Sequence, residues 1–342
     1  MAYTTINKST DFFNTLLYTA TGTQSVTGAG FQPDMSWVKA RSTTSSHYIA
    51  DAVRGSTKTI STNNTNAEGT QNLITSFDSD GVSLGSSNWS DSRTAVIWNW
   101  KANGTGSANT DGSINSTVSV NATAGFSIAT WTTPFSGTQF TIGHGLGQAP
   151  GMMIMKCTTQ SNSWFTYHKG LGGNVNDYLV LNETTAEASQ TNMWGANGAE
   201  TNTMGLKAGT SSYTNEPMIG YFFAEKQGYS KIGSYTGNGN ADGSFIYTGF
   251  KPQFILIKNK DSGTSWCMFD TKRQPGNDDT AQVLHPNLIN AEDTGNFFFD
   301  ILSNGFKVRT TSSTVNGSGN TMIYLAIGQS LVGDNNIPCT AR

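Results

Sequence analysis

The chain of 342 residues writes one phrase three times: "GFQPDMSWVKARSTTSSHYIAD" over 30–51, "GQAPGMMIMKCTTQSNSWFTYH" over 147–168 and "GFKPQFILIKNKDSGTSWCMFD" over 249–270. In each, a proline (Pro33, Pro150, Pro252) is followed six residues on by a lysine (Lys39, Lys156, Lys258). A polar turn of variable length leads to His47, Trp164 or Trp266, and four residues further stand Asp51, His168 and Asp270. A second block recurs as "SFDSDGVSL" (76–84) and "ILSNGFKVR" (301–309), with only "NTMGLKAG" in the middle stretch. Each stretch opens on an aromatic segment ("NTLLYT", "FSIATWT", "YSKIGSYTG") and closes on an apolar one ("TAVIWNWK", "PMIGYFFAE", "TMIYLAIG"). A period of about 100 residues is too long for a solenoid, so each copy is expected to be a domain. The expected boundaries are 1–101, 125–227 and 228–342, the last with a short polar tail. The Gly/Ser/Asn/Thr-rich segment 102–124 reads as a linker or an added strand. Copies two and three meet at "EKQGYSK" with almost no spacer and should pack closely.

Composition decides what kind of domain. Only 13% of residues are charged, against roughly a quarter in a typical soluble domain. Thr, Tyr, Phe and Trp suit strands, whereas Gly, Asn and Ser suit tight turns. Turn signals such as "SDG", "SNG" and "GNGN" separate the apolar segments. In "TAVIWNWK", Val96, Trp98 and Trp100 alternate with Ile97, Asn99 and Lys101, the pattern of a half-buried strand. "MMIMK" and "QFILIK" are apolar on both faces. Either they are central strands of a two-layer sandwich, or a neighbouring domain or protomer covers the second face. The expected fold is all-β: three tandem duplicated β-sandwich domains of jelly-roll or lectin-like type.

Several functional classes lack their signature. The formal net charge is −3 with no run of Lys or Arg, so nucleic acid is not an expected partner. No stretch approaches the length of a membrane-spanning helix, and "MAYTTINKST" has no apolar signal core, so membrane insertion and Sec secretion are not expected. Cys157, Cys267 and Cys339 are odd in number and read as free thiols of a reducing cytoplasm. His47, His144, His168 and His285 fall in no metal-ligand spacing, and no nucleophile elbow or P-loop is present. No cofactor or metal is expected. "DSDG" (78–81) resembles the start of a calcium loop but lacks its later ligands, so a turn is expected.

The recurring positions admit two readings. An aromatic beside a carboxylate can hold a sugar, which makes His47, Asp51, Trp164, His168, Trp266 and Asp270 candidate glycan contacts. A Trp recurring at one place in like sandwiches is otherwise core, and the His in the first copy favours partial exposure. His47 and Asp51 read as a surface polar pair, not as a catalytic dyad. Lys39, Lys156 and Lys258 are expected to end strands at the surface and bind nothing specific.

Taken as a set, "GFQPDMSWVKAR…HYIADAVRG", "SFDSDGVSLG", "IWNWKA", "GHGLGQAPGMMIMK", "YFFAEKQGYSKIGSYTGNGNADGSFIYTGFKPQFILIK" and the terminal "TAR" resemble a repeat family of virion proteins from marine tailed bacteriophages, labelled tail-fibre or surface structural proteins. The resemblance spans the whole chain and implies lectin-like β-sandwiches on a phage particle, assembled in the host cytoplasm. It carries no set of catalytic or ligand-binding residues. The expected function is a non-enzymatic virion protein of a tail fibre or similar appendage that binds host surface glycan. The alternative is a head decoration or cement protein. A polysaccharide depolymerase ranks last, because neither a long β-helix nor a carboxylate pair is evident. Expected partners are further copies of the chain, with a trimer favoured, other virion proteins, and host polysaccharide. The middle copy departs most, with "YHKG" where the first has "D..RG".

Overall fold

The computed structural model describes residues 4–172, 175–209, 214–277, 282–295 and 299–332; Cys339 lies outside them. The regular structure of the described chain is nearly all strand, with one short α-helix at Ser313–Asn316 and one 3-10 turn at Ser9–Asp11. The strands form antiparallel sheets in three units of like topology.

In each unit the opening strand pairs with the closing strand, which pairs with the strand carrying the lysine, which pairs with a return strand. In the first unit these are Phe13–Thr19, Thr94–Trp100, Met35–Ala40 and Tyr48–Asp51. In the second they are Phe126–Thr132, Pro217–Phe223, Met152–Cys157 and Phe165–His168. In the third they are Ser230–Thr236, Thr321–Ser330, Phe250–Asn259 and Cys267–Asp270. The three phrases of the sequence therefore occupy equivalent strands. The segment between the first two units is more than a linker. It supplies two strands, Ser107–Asn109 and Ser116–Asn121, that extend the second sheet beyond its opening strand.

A smaller sheet faces each large one. It comprises Gln24–Thr27, Gly81–Leu84 and Ile74–Asp78 in the first unit, and Phe245–Tyr247, Gly305–Val308 and Phe299–Leu302 in the third. In the second it is Gln139–Gly143 with Thr203–Lys207, so the weak "NTMGLKAG" block does hold the equivalent strand. Between the two sheets of every unit lies a core of its own, such as Val38, Ile97, Val82 and Leu84 in the first.

The opposite faces of the large sheets meet each other. Trp37, Trp98 and Trp100 of the first unit, Ile154, Tyr221 and Phe223 of the second, and Phe254, Leu256 and Leu325 of the third belong to one continuous central cluster. This settles why the lysine strands are apolar on both faces: one face lines the unit's own core, and the other is covered by neighbouring units of the same chain. It also corrects the half-buried reading of "TAVIWNWK", since every residue from Ala95 to Trp100 is buried. Asn99 is tolerated there because it accepts from Ser36 Oγ at 2.7 Å. The three units thus each keep a core between their own sheets and share a further, central one.

Candidate functional site

All six candidate glycan contacts lie inside the protein. His47, Asp51 and Trp164 are fully buried, His168 and Trp266 are 1% exposed, and Asp270 is 4% exposed. Their side chains are occupied by contacts between units, and none offers a face to a ligand from solution. The expected partial exposure of His47 and the surface pairing of His47 with Asp51 are therefore corrected. Burial of the tryptophans agrees with the core reading.

The three lysines are corrected as well, because all are 0% exposed. A buried ammonium needs acceptors to replace water, and backbone carbonyls supply them. Lys156 Nζ donates to Thr65 O of the first unit at 3.1 Å, and to Gln160 O of its own. Lys258 Nζ donates to Thr184 O of the second unit at 3.1 Å, and to Ser262 O and Thr264 O. Lys39 Nζ closes the circle on Ile289 O of the third unit at 3.3 Å. Burial lowers all three to a pKa of about 8.

Two of the rings at the next recurring position tie the same neighbours together. Trp164 Nε1 donates to Ser61 O of the first unit at 2.8 Å, and Trp266 Nε1 to Val180 O of the second at 3.0 Å. In the equivalent place the His47 ring accepts from Trp37 Nε1 of its own unit at 3.1 Å and lies near His285 of the third. Burial first, then nearby positive charge, holds the His47 imidazole well below its ordinary pKa, so it packs as a neutral ring.

Four residues on, the ties run in the opposite direction. Asp51 accepts from the Tyr221 hydroxyl of the second unit at 2.7 Å, and Asp270 from Trp98 Nε1 of the first at 2.9 Å. Each carboxylate is also held by the arginine three residues later, Arg54 at 2.6 Å and Arg273 at 2.5 Å. Arg273 additionally lies over the Trp98 ring, 5.3 Å from its centroid. The second unit has His168 here and Leu171 three residues on. The place that Tyr221 and Trp98 hold on the closing strands is Leu325 in the third unit, which has no donor for a carboxylate. His168 instead accepts the Gly170 N–H on Nδ1 at 2.9 Å and donates Nε2–H to Tyr324 O at 3.2 Å. Burial lowers its pKa to about 4, keeping it neutral. The "YHKG" departure is a concerted replacement of a buried ion pair by a neutral hydrogen bond.

One set of ties escaped the sequence reading. Glu68 N–H donates to Thr158 O, Glu187 N–H to Lys260 O, and Glu292 N–H to Arg41 O, at 2.8, 2.7 and 2.7 Å. Each bond again joins one unit to the next. The signal was present as "NTNAE" (64–68), "ETTAE" (183–187) and "LINAE" (288–292), each one residue after Asn63, Asn182 or Asn287. Those asparagines accept the backbone N–H of His47, Trp164 and Trp266. Short polar loops of this kind pass for ordinary turns when read alone. Arg41 and Arg273 both bind Glu292, joining the third unit to the first.

Two other sequence features can be placed. The Asp78 carboxylate accepts from Ser76 and Ser83, and Asp80 from the N–H groups of Gly28 and Gly30, so both carboxylates hold the turn. Among the described residues, no group of three or more His, Cys, Asp or Glu is arranged to hold a metal.

A groove of about 500 Å³ opens where the first and second units meet, with Arg54 and Glu68 on one side and Thr117, Thr130, Thr132 and Pro217 on the other. Thr117 stands on one of the two strands that only the second unit adds. The Glu68 carboxylate is already engaged by Arg54 at 2.9 Å. Hydroxyls and one neutralised charge suit a polar, hydroxyl-bearing ligand better than an ionic one.

A family model described as a domain of unknown function, DUF7483, matches residues 8–330. No curated protein matches the chain. The matched span takes in all three units and the strands between them.

Proposed function

The chain belongs to the DUF7483 family, and from that premise we propose that it is a non-enzymatic structural protein on the surface of a tailed-phage particle. In this reading it is part of a tail fibre or similar appendage and touches host surface glycan. One observation carries the structural role: the buried lysines, His168 and the Asp–Arg pairs are engaged in bonds that tie units into a ring. A catalyst needs ionisable groups facing a substrate; here such groups face one another across unit boundaries. The sequence resemblance supports the particle address.

A second reading, head decoration, is favoured by the shared central cluster. Units wrapped round one core make a body suited to sitting on a lattice, whereas a fibre shaft strings its units in line. Immunogold labelling of intact particles with antibody against this chain separates the two. Gold at the tail supports the appendage role, and gold over the head supports decoration. Particles free of label, and free of the chain by mass spectrometry, would overturn both.

A further inference from the structure

The three small sheets share one framework and differ on one face. Val26 pairs with Val82, Phe140 with Leu206 and Ile246 with Phe306, and all six side chains are buried. The next pair outward is Thr27 with Gly81, Thr141 with Gly205 and Tyr247 with Gly305. The fold dictates those glycines: a Cβ would come within 2.0 Å of Val26 O at 81, 2.6 Å of Trp194 O at 205 and 2.1 Å of Ile246 O at 305. The residues on the facing strand are under no such constraint. The first unit uses Ser25 and Thr27, the second Gln139 and Thr141, and the third Phe245 and Tyr247.

Phe245 and Tyr247 are 48% and 58% exposed. Since Ser/Thr and Gln/Thr hold the same places elsewhere, the fold does not call for rings there. Two residues apart on one strand, they share a face about 7 Å apart. Charged groups fence them: Lys307 pairs with Asp242 at 2.6 Å, and Arg309 lies 3.5 Å from Asp300 and 3.7 Å from Asp242. Lys307 stands directly across from Phe245.

We propose that this face of the third unit is a saccharide-binding platform. The chemistry selects the occupant. The fence is charge-balanced, two cations against two carboxylates, so it complements no strongly charged partner. It offers donors and acceptors at the rim of an apolar floor, which fits a molecule with C–H faces and hydroxyl edges. Two half-exposed rings present on the order of 200 Å², against roughly 800 Å² per partner in a stable protein–protein interface. The inference rests on the glycan-contact reading above and names its site.

The test uses the full chain on an immobilised panel of bacterial surface polysaccharides and O-chain oligosaccharides. The double variant Phe245→Ser/Tyr247→Thr carries the first unit's residues, and both positions point outward, so its melting midpoint should match the parent. The expected result is binding of the parent to at least one glycan, weakened roughly tenfold or more in the double variant. Unchanged binding in that variant, with loss in Thr132→Trp instead, would move the ligand to the groove between units. That result overturns this site and leaves the glycan reading standing. Failure of the parent to bind any member of the panel overturns both. Sedimentation of parent and double variant adds a further check: if the substitution turns an oligomer into a monomer, the rings are a contact between copies and the proposal falls.

Discussion

Single positions in this chain are readable only with their cross-unit neighbours. Asp51 and Asp270 are buried carboxylates, each with an arginine and an indole or phenol donor. His168 does the same job without charge. Placing a carboxylate at 168 would bury it without the arginine and the indole or phenol donor that Asp51 and Asp270 have. His168→Asp should therefore cost about 3 kcal/mol or more, and Leu171→Arg added to it should recover part of the loss. Urea denaturation of the two single variants and the double closes the cycle; no favourable coupling would contradict the swap. The same residue sets an acid limit. Its folded pKa of about 4 lies below the unfolded value near 6.5, so the unfolded chain binds the extra proton. Stability is full above about pH 6.5 and falls as pH drops toward 4. His47, His144 and His285 are lowered by burial too and add to the fall in the same direction. The denaturation midpoint at pH 5 should lie clearly below that at pH 7.

At the level of strands and loops, the lysine strand and the Asn-to-Glu loop form one clasp used three times. The lysines read from sequence as surface strand ends because an isolated Lys is usually exposed. The loop from the neighbouring unit, not the strand, supplies the carbonyl cage. A folded pKa of about 8 lies below the unfolded value near 10.4, so each lysine stays charged at a cost of about 3 kcal/mol below pH 8. That cost is relieved as pH rises from 8 toward 10. The Cys267 thiol, pushed up by burial, opposes the trend above about pH 9, and the buried tyrosines oppose it above 10. With three lysines against one thiol, the guanidinium midpoint should rise between pH 7.5 and 9.5. Lys258→Met should lower stability by about 2 kcal/mol at pH 7.5, because three carbonyls lose their donor. It should also remove about a third of the alkaline rise.

Over the whole molecule, the central cluster makes the units interdependent. The first unit taken alone, residues 4–101, would expose Trp37, Trp98 and Trp100 to water. At about 25 cal/mol per Å² of apolar surface, leaving such rings uncovered forfeits several kcal/mol, comparable to the whole stability of a small domain. The excised unit should therefore show no dispersed amide spectrum and no cooperative melt, whereas the full chain should melt in one transition. Separate folding of the fragment would overturn the shared-core account. The sequence by itself determined the strands, their turns, the all-β class and the three equivalent phrases, because period-2 alternation and turn chemistry are local. It also flagged two-faced apolar strands without saying what lay on the second face. Only the tertiary structure decided that neighbouring units cover those faces and that lysines, rings and carboxylates close a circle of ties. It likewise placed all six candidate glycan contacts in the interior, as the core reading of the tryptophans had it, and left Phe245 and Tyr247 facing solvent. Burial and hydrogen-bond partners arise from residues up to about a hundred positions away or more, and no local pattern encodes which of two faces meets them.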